Sequence, residues 1–153
     1  MVYYDFEKGI WIGRGKKFDS FEEANEYALA KKSGRRFYNE VDDTYYRSRW
    51  EIVMANALHE SGIEFQYEPK RFMYHKHKES YLPDFYLPKF NLWIEVKGYM
   101  DKRSKKRIVL FGKEYPEEKL VLVMEDEIER LKINPRSVIW IMYEQGADID
   151  EIF

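Results

Sequence analysis

An α/β fold, with a mixed central sheet flanked by helices, is the class this sequence predicts, and three observations predict it. Short apolar runs of strand length, rich in aromatic and β-branched residues, recur at 63–67, 83–88, 92–97, 120–123 and 137–143. Longer stretches with apolar residues at helical spacing lie at 45–61, 101–114 and 125–132. Taken in order they read as a helix followed by β-β-β-α-β-α-β, which sets helices against a sheet. A chain of 153 residues has room for one such domain and a small appendage. Residues 1–40 read as a separate small ββα unit, and residues 41–153 as the main domain.

Composition narrows the class. Hydrophobic residues make up 44% of the chain and aromatics 18%, which is ample for a packed core. The absence of cysteine excludes a disulfide framework and a thiolate metal site, and fits a reducing compartment. No apolar run approaches the roughly 18–20 residues of a membrane span. The stretch Met1–Asp5 lacks the basic and apolar regions of a signal peptide. A cytoplasmic protein is expected. No internal repeat or low-complexity segment is present.

The first unit opens with Ile10–Phe18, which suggests a hairpin around a glycine-containing turn. Asp19 or Ser20 can cap a following helix, with Glu22 and Glu23 favourable in its first turn. Phe21, Ala24, Tyr27 and Ala28 then recur at helical spacing, and Lys31–Arg36, with Gly34 as a stop, closes the helix. The unit reads either as a packed appendage or as an accessory DNA-binding module using Arg14, Lys16, Lys17, Arg35 and Arg36. Gly13-Arg14-Gly15 is too short for a nucleotide-binding fingerprint.

In the main domain, Trp50, Val53, Met54, Ala57 and Leu58 form the apolar stripe of the 45–61 helix, and Gly62 ends it. Glu51 sits beside that stripe and can pair with Arg47 four residues earlier. Ile63, Phe65 and Tyr67 alternate with polar residues as a half-buried strand that Pro69 interrupts. His75 and His77 form an H-x-H pair, but no further Cys/His cluster supports zinc, so this basic, aromatic-interleaved stretch reads as a hairpin tip. Asp101 can cap the 101–114 helix, whose apolar side is Ile108, Leu110 and Phe111. A buried strand (120–123), a short helix (125–132) and a last buried strand (137–143) follow. Residues 144–153 read as a solvated acidic terminus, or as an intramolecular shield for the basic block.

Chemistry concentrates at Pro83-Asp84-Phe85 and at Glu95-Val96-Lys97. Trp93, Glu95 and Lys97 share one face of a strand, and Leu92, Ile94 and Val96 the other. Charges on an apolar strand are costly to bury without a partner, and a metal ion would supply one. Asp84 beside Glu95 can hold a hard divalent cation, with Lys97 close by, a layout suited to cutting phosphodiesters. Magnesium fits a donor set made only of oxygens, with manganese as its substitute.

The net charge of −2 conceals a strong asymmetry. Residues 69–113 hold twelve Lys/Arg against four acids, a local charge of +8. Residues 114–153 hold eleven acids against four bases, a local −7. The basic block brackets the acid pair and reads as a phosphate-binding surface. Its candidate DNA contacts are Lys70, Arg71, Lys76, Lys102, Arg103, Lys105, Lys106 and Arg107, together with Arg47 and Arg49 upstream.

Asp84 followed by Glu95-Val96-Lys97 matches the signature of the PD-(D/E)XK nucleases. Arg47–Glu51, Ser61–Glu68, Tyr81–Phe85, Glu95–Gly98 and Tyr115-Pro116 fall in the order and spacing of the phage endonuclease I family of Holliday-junction-resolving enzymes, which the chain resembles over about residues 46–124. The resemblance implies a restriction-endonuclease-like core and a metal-dependent DNA endonuclease of phage type, selective for branched DNA and acting in the host cytoplasm. It implies catalytic roles for Glu51, Asp84, Glu95 and Lys97. Asp84 and Glu95 would hold the principal metal with the backbone carbonyl of Val96. Glu51 would complete that site or hold a second ion, and Lys97 would orient water or neutralise charge. Cutting two strands at a symmetric site needs two active centres, which suggests a homodimer. Two alternatives stay open: a sequence-directed or nicking endonuclease of the same fold, and a non-catalytic DNA-binding module.

Overall fold

The computed structural model describes residues 2–13, 16–32 and 34–149. Arg14 of the candidate accessory surface, and Asp150–Phe153 of the acidic tail, lie outside the described residues. The chain divides into two compact units, residues 1–52 and 53–153. No helix among the described residues is long and apolar enough to cross a membrane.

The first unit holds three antiparallel strands, β1 (Val2–Asp5), β2 (Ile10–Gly13) and β3 (Lys16–Phe18), with β2 central. Helix α1 (Phe21–Lys32) follows, and the Ser20 hydroxyl accepts from the Glu23 amide, so Ser20 supplies the expected cap. Trp11 and Phe18 share a face with Gly13 by register, and their rings meet Phe21 and Tyr27 of α1 at 5.1 and 5.2 Å. Gly13 is required by that close approach, since a Cβ there would stand 2.5 Å from the carbonyl oxygen of Ala24. The expected ββα unit is thus a βββα unit, with β1, paired antiparallel to β2, as the third strand. A hairpin of β4 (Phe37–Asn39) and β5 (Thr44–Tyr46) belongs to the same unit, and Tyr45 packs on Tyr27 at 6.0 Å. That contact and the β4–β5 pairing place residues 37–46 with the first unit, which therefore extends beyond residue 40.

Helix α2 runs over Arg49–Glu60. It starts later than expected because Tyr45 and Tyr46 pair in β5. Ser48 marks the true start: Ser48-x-x-Glu51 has capping-box spacing, and the Ser48 hydroxyl accepts from the Glu51 amide at 3.2 Å. Gly62, at φ +67°, ends the helix in the left-handed conformation that glycine adopts without strain.

The second unit is built on a four-stranded mixed sheet in the order β11–β10–β9–β6. The strands are β6 (Gln66–Tyr67), β9 (Phe85–Leu87), β10 (Leu92–Val96) and β11 (Lys119–Val123). Strand β10 runs antiparallel to β9 and parallel to β11. The 63–67 strand is shorter than its alternation suggested, because only Gln66 and Tyr67 find partners on β9. At the opposite edge, Gln145 bonds both the amide and the carbonyl of Leu122, covering polar groups that an edge strand would leave open. A small hairpin of β7 (Phe72–Met73) and β8 (Ser80–Tyr81) carries His75 and His77, exposed, in its connecting turn.

Helix α3 (Lys102–Glu114) is capped by Asp101, whose carboxylate accepts from the Ser104 amide at 2.7 Å. That bond, aided by the Ser104 hydroxyl, lowers the Asp101 pKa. Phe72, Tyr74, Tyr81, Trp93 and Phe111 form an aromatic core joining the β7–β8 hairpin, the sheet and α3. Phe72 meets Trp93 and Phe111 edge-on, at 5.1 and 4.9 Å. Helix α4 (Glu125–Ile133) follows β11.

The expected strand at 137–143 is instead helix α5 (Val138–Glu144). Val138, Ile141 and Met142 are buried at i, i+3 and i+4, whereas Trp140 is 53% exposed. A strand would have alternated these positions; the continuous apolar run concealed a helical stripe. The tail is likewise not solvated throughout, since Ala147 and Ile149 are buried.

Candidate active site

Asp84 immediately precedes β9, and Glu95 lies near the end of β10. The register pairs Phe85 with Ile94, so its continuation sets Asp84 opposite Glu95 on one face of the sheet. Each carboxylate residue is 8% exposed. Burying two acids side by side demands donors, and the fold supplies at least one to each. The Val96 amide donates to Asp84 Oδ2 at 2.7 Å. The Tyr81 hydroxyl donates to Glu95 Oε2 at 2.8 Å. Burial raises the Tyr81 pKa, and the neighbouring charges of Glu95 and Asp84 raise it further.

Val96 and Lys97 continue the strand. The Lys97 amide bonds the Val123 carbonyl at 2.9 Å, extending the β10–β11 ladder one step beyond the regular strand. By alternation the Lys97 side chain falls on the Glu95 face. Asp84, Glu95, Val96 and Lys97 are thus brought to one end of adjacent strands. Glu51, on the first-unit side of the division, is 5% exposed, and its Oε2 accepts from the Ser48 hydroxyl at 2.8 Å. Among the described residues, no group of three or more His, Asp or Glu side chains is arranged to hold a metal ion. The donor set at the Asp84–Glu95 pair consists of hard oxygens, and Mg2+ takes one or two protein carboxylates and completes its shell with waters and substrate phosphates.

The basic candidates divide by setting. Lys102, Arg103, Lys105 and Lys106 are exposed on α3, and Lys76 is exposed in the hairpin turn. Arg103 stands 3.9 Å from Glu79, at the outer limit of an ion pair. Arg107 is half-buried, and its backbone carbonyl accepts from Tyr74. Lys70 lies over the Phe72 ring at 4.7 Å, and Arg71 donates to Ser80 at 3.0 Å. In the first unit Arg47 and Arg49 are exposed, and Arg49 lies over the Phe37 ring at 5.6 Å. Of the candidate accessory residues, Lys16, Lys17 and Arg36 are exposed and Arg35 is half-buried.

Tyr81 is the site residue that reasoning from the residues alone does not single out. No local pattern marks it, because its bond joins β8 to β10 across the fold.

A sequence model of the family described as Phage endonuclease I matches residues 31–141. Endodeoxyribonuclease 1 of Enterobacteria phage T3 is 32% identical over 110 residues, covering 71% of this chain and 66% of that protein. Endonuclease I of Escherichia phage T7 is 28% identical over 88 residues, covering 56% of this chain and 58% of that protein. The chain thus spans somewhat under two thirds of the length of these relatives.

Proposed function

The chain belongs to the phage endonuclease I family, and on that premise we propose that it is a metal-dependent DNA endonuclease, a phosphodiester hydrolase centred on Asp84 and Glu95. The observation that carries this reading is the pair itself: two buried carboxylates at adjacent strand ends, each held by a hydrogen-bond donor, with Lys97 next on the same face. The names of the phage T3 and T7 relatives support the reaction class. A binding module has no use for two buried acids next to an anionic backbone, which would repel it.

Hydrolysis joins a water oxygen to phosphorus while a bridging P–O bond breaks and the departing oxygen gains a proton. Negative charge grows on the phosphoryl oxygens as this happens. A divalent ion, when bound, supplies the charge that offsets this and lowers the pKa of a bound water. Asp84, Glu95 and the Val96 carbonyl are the groups that would hold Mg2+, with Mn2+ able to replace it; a part for Glu51 rests on the family resemblance alone. Lys97 orients the water or neutralises developing charge. The exposed cations of α3, with Lys70, Arg71 and Lys76, take phosphates of the DNA, and Arg47 and Arg49 of the first unit are further candidates for phosphate contact. We extend the reading to the PD-(D/E)XK class, its restriction-endonuclease-like core, a homodimer, a preference for branched DNA and a cytoplasmic site of action, all of which rest on the family resemblance.

A second reading is a sequence-directed or nicking endonuclease of the same fold. The family match begins only at residue 31, and the βββα unit largely ahead of it is available to choose a site. Cleavage of a labelled four-way junction, linear duplex and single strand, with Mg2+ and with EDTA, tests both. Junction cutting that needs metal and is lost in Asp84→Asn is the expected result. Cutting or nicking of linear duplex at one place would favour the second reading. Tight binding without cleavage of any substrate would overturn both and leave the non-catalytic module.

A further inference from the structure

Resting on the function proposed above, we infer that Tyr81 is a positioning residue of the acidic centre, its hydroxyl holding the Glu95 carboxylate in one orientation at the end of β10.

The two acids are fixed by different devices. Asp84 has a short side chain and takes a backbone donor, the Val96 amide, which the sheet places for it. Glu95 has one more rotatable bond, so a donor that fixes its far oxygen must reach farther from the strand. Tyr81 supplies a rigid donor on a long arm. Its ring is 5% exposed and stands edge-on to Phe111 at 5.3 Å, so the phenol oxygen has a fixed place 2.8 Å from Glu95 Oε2. Ring packing alone would be served equally well by phenylalanine; the hydroxyl is explained only by the carboxylate.

The arm is itself anchored. On the same hairpin, the Tyr74 hydroxyl donates to the Arg107 carbonyl, and the Met73 carbonyl accepts from the Tyr115 hydroxyl. Helix α3 and the turn after it, through these two bonds and the aromatic core, therefore hold the residue that orients Glu95. The helix proposed to take phosphates and the centre proposed to cut them share one rigid support. Outer partners of metal-binding carboxylates typically carry about 10–100-fold in metal affinity or activity, which sets the size of effect expected here.

The test compares Tyr81→Phe with Tyr86→Phe in the full chain. Tyr86 packs against the same aromatic cluster, but its hydroxyl donates to the Asn91 side-chain carbonyl and to no carboxylate. Mn2+ affinity without DNA is read by electron paramagnetic resonance, DNA affinity is read in EDTA, and kcat and KM are read separately. Tyr81→Phe is expected to bind Mn2+ about tenfold or more weakly and to lose kcat by a similar factor, with DNA affinity in EDTA unchanged. Tyr86→Phe is expected to match the wild type in Mn2+ affinity and kcat, whatever its thermal stability. Equal losses in the two variants would assign the effect to general loosening and overturn the inference, as would wild-type behaviour of Tyr81→Phe. A wild-type chain that neither binds Mn2+ nor cuts DNA would overturn the proposed function itself and this inference with it.

Discussion

One face of β10 carries Leu92, Ile94 and Val96, all buried and none with a polar side-chain atom; the other carries Trp93 and Glu95, with Lys97 one step beyond. Both faces of the strand are closed to water, yet they are built on different terms. The first needs only shape and apolar contact. On the second, buried polar groups meet specific partners: the Trp93 indole donates to Glu118, the Tyr81 hydroxyl to Glu95, and the Val96 amide to Asp84. A buried charge is tolerated where donors are already in place and is costly elsewhere. The contrast shows where stability and chemistry separate on one five-residue strand.

Substitutions on the two faces should therefore fail in different ways. The largest effect is expected at the acids. Asp84→Asn and Glu95→Gln keep an acceptor for the Val96 amide and the Tyr81 hydroxyl but remove the charge. Cleavage should fall by about 10³-fold or more, equivalent to about 4 kcal/mol of lost transition-state stabilisation, with thermal unfolding and DNA binding still measurable. Full cleavage by both variants, in a timed assay with Mg2+, would end the comparison. Ile94→Ala, on the opposite face, should cost about 2–5 kcal/mol of stability by leaving a cavity. Calorimetry should show a lowered Tm, while the folded fraction at low temperature still cuts. An Ile94→Ala protein with wild-type Tm and no activity would reverse the roles of the two faces.

How readily the residues revealed this depended on the range of the interaction. Alternation on β10, the Asp101 cap, the Ser20 cap and the Gly62 stop are settled within a few residues, and all were legible. The acid pair was also legible, because strand alternation and the proximity of two apolar runs in sequence already placed Asp84 near Glu95. Residues 138–144 were not, since a continuous apolar run carries no period and only burial distinguishes its helical stripe. Strand 63–67 shrank because pairing partners, not propensity, set its length. The boundary after residue 52 and the Tyr81–Glu95 bond depend on contacts across the fold, for which no short pattern exists.

The aromatic face should also respond to alkali in a way the aliphatic face does not. Burial raises the pKa of Tyr81 and of Tyr74, with nearby carboxylates adding to it. Their folded pKa values lie above the ordinary value of about 10, so the folded chain binds more protons than the unfolded chain in alkali. Stability from these phenols is fully present below pH of about 10 and is lost as pH rises above it. Tyr81 alone sets a slope of up to about 1.4 kcal/mol per pH unit. Tm followed from about pH 8 to about pH 11 should fall steeply above about 10, and Tyr81→Phe should flatten that fall. A Tm indifferent to pH in this range would mean the phenols are not held protonated by the fold.

The smallest effect is expected on the exposed surface of α3, where neither face of β10 is touched. Lys105 and Lys106 are exposed and make no ion pair among the described residues, so they contribute little to folding. If they bind phosphate, each displaces counterions as DNA docks. Lys105→Gln with Lys106→Gln should then lower the slope of log K against log salt by about 1 for each phosphate no longer engaged. The weakening should be the same for junction and duplex, since phosphate contacts position DNA without reading it. Titrations at several salt concentrations, run on both DNAs with the catalytically inactive Asp84→Asn chain, measure the slope without cleavage. Weakening confined to the junction would instead make these lysines part of branch recognition, and the basic helix would then select the substrate as well as hold it.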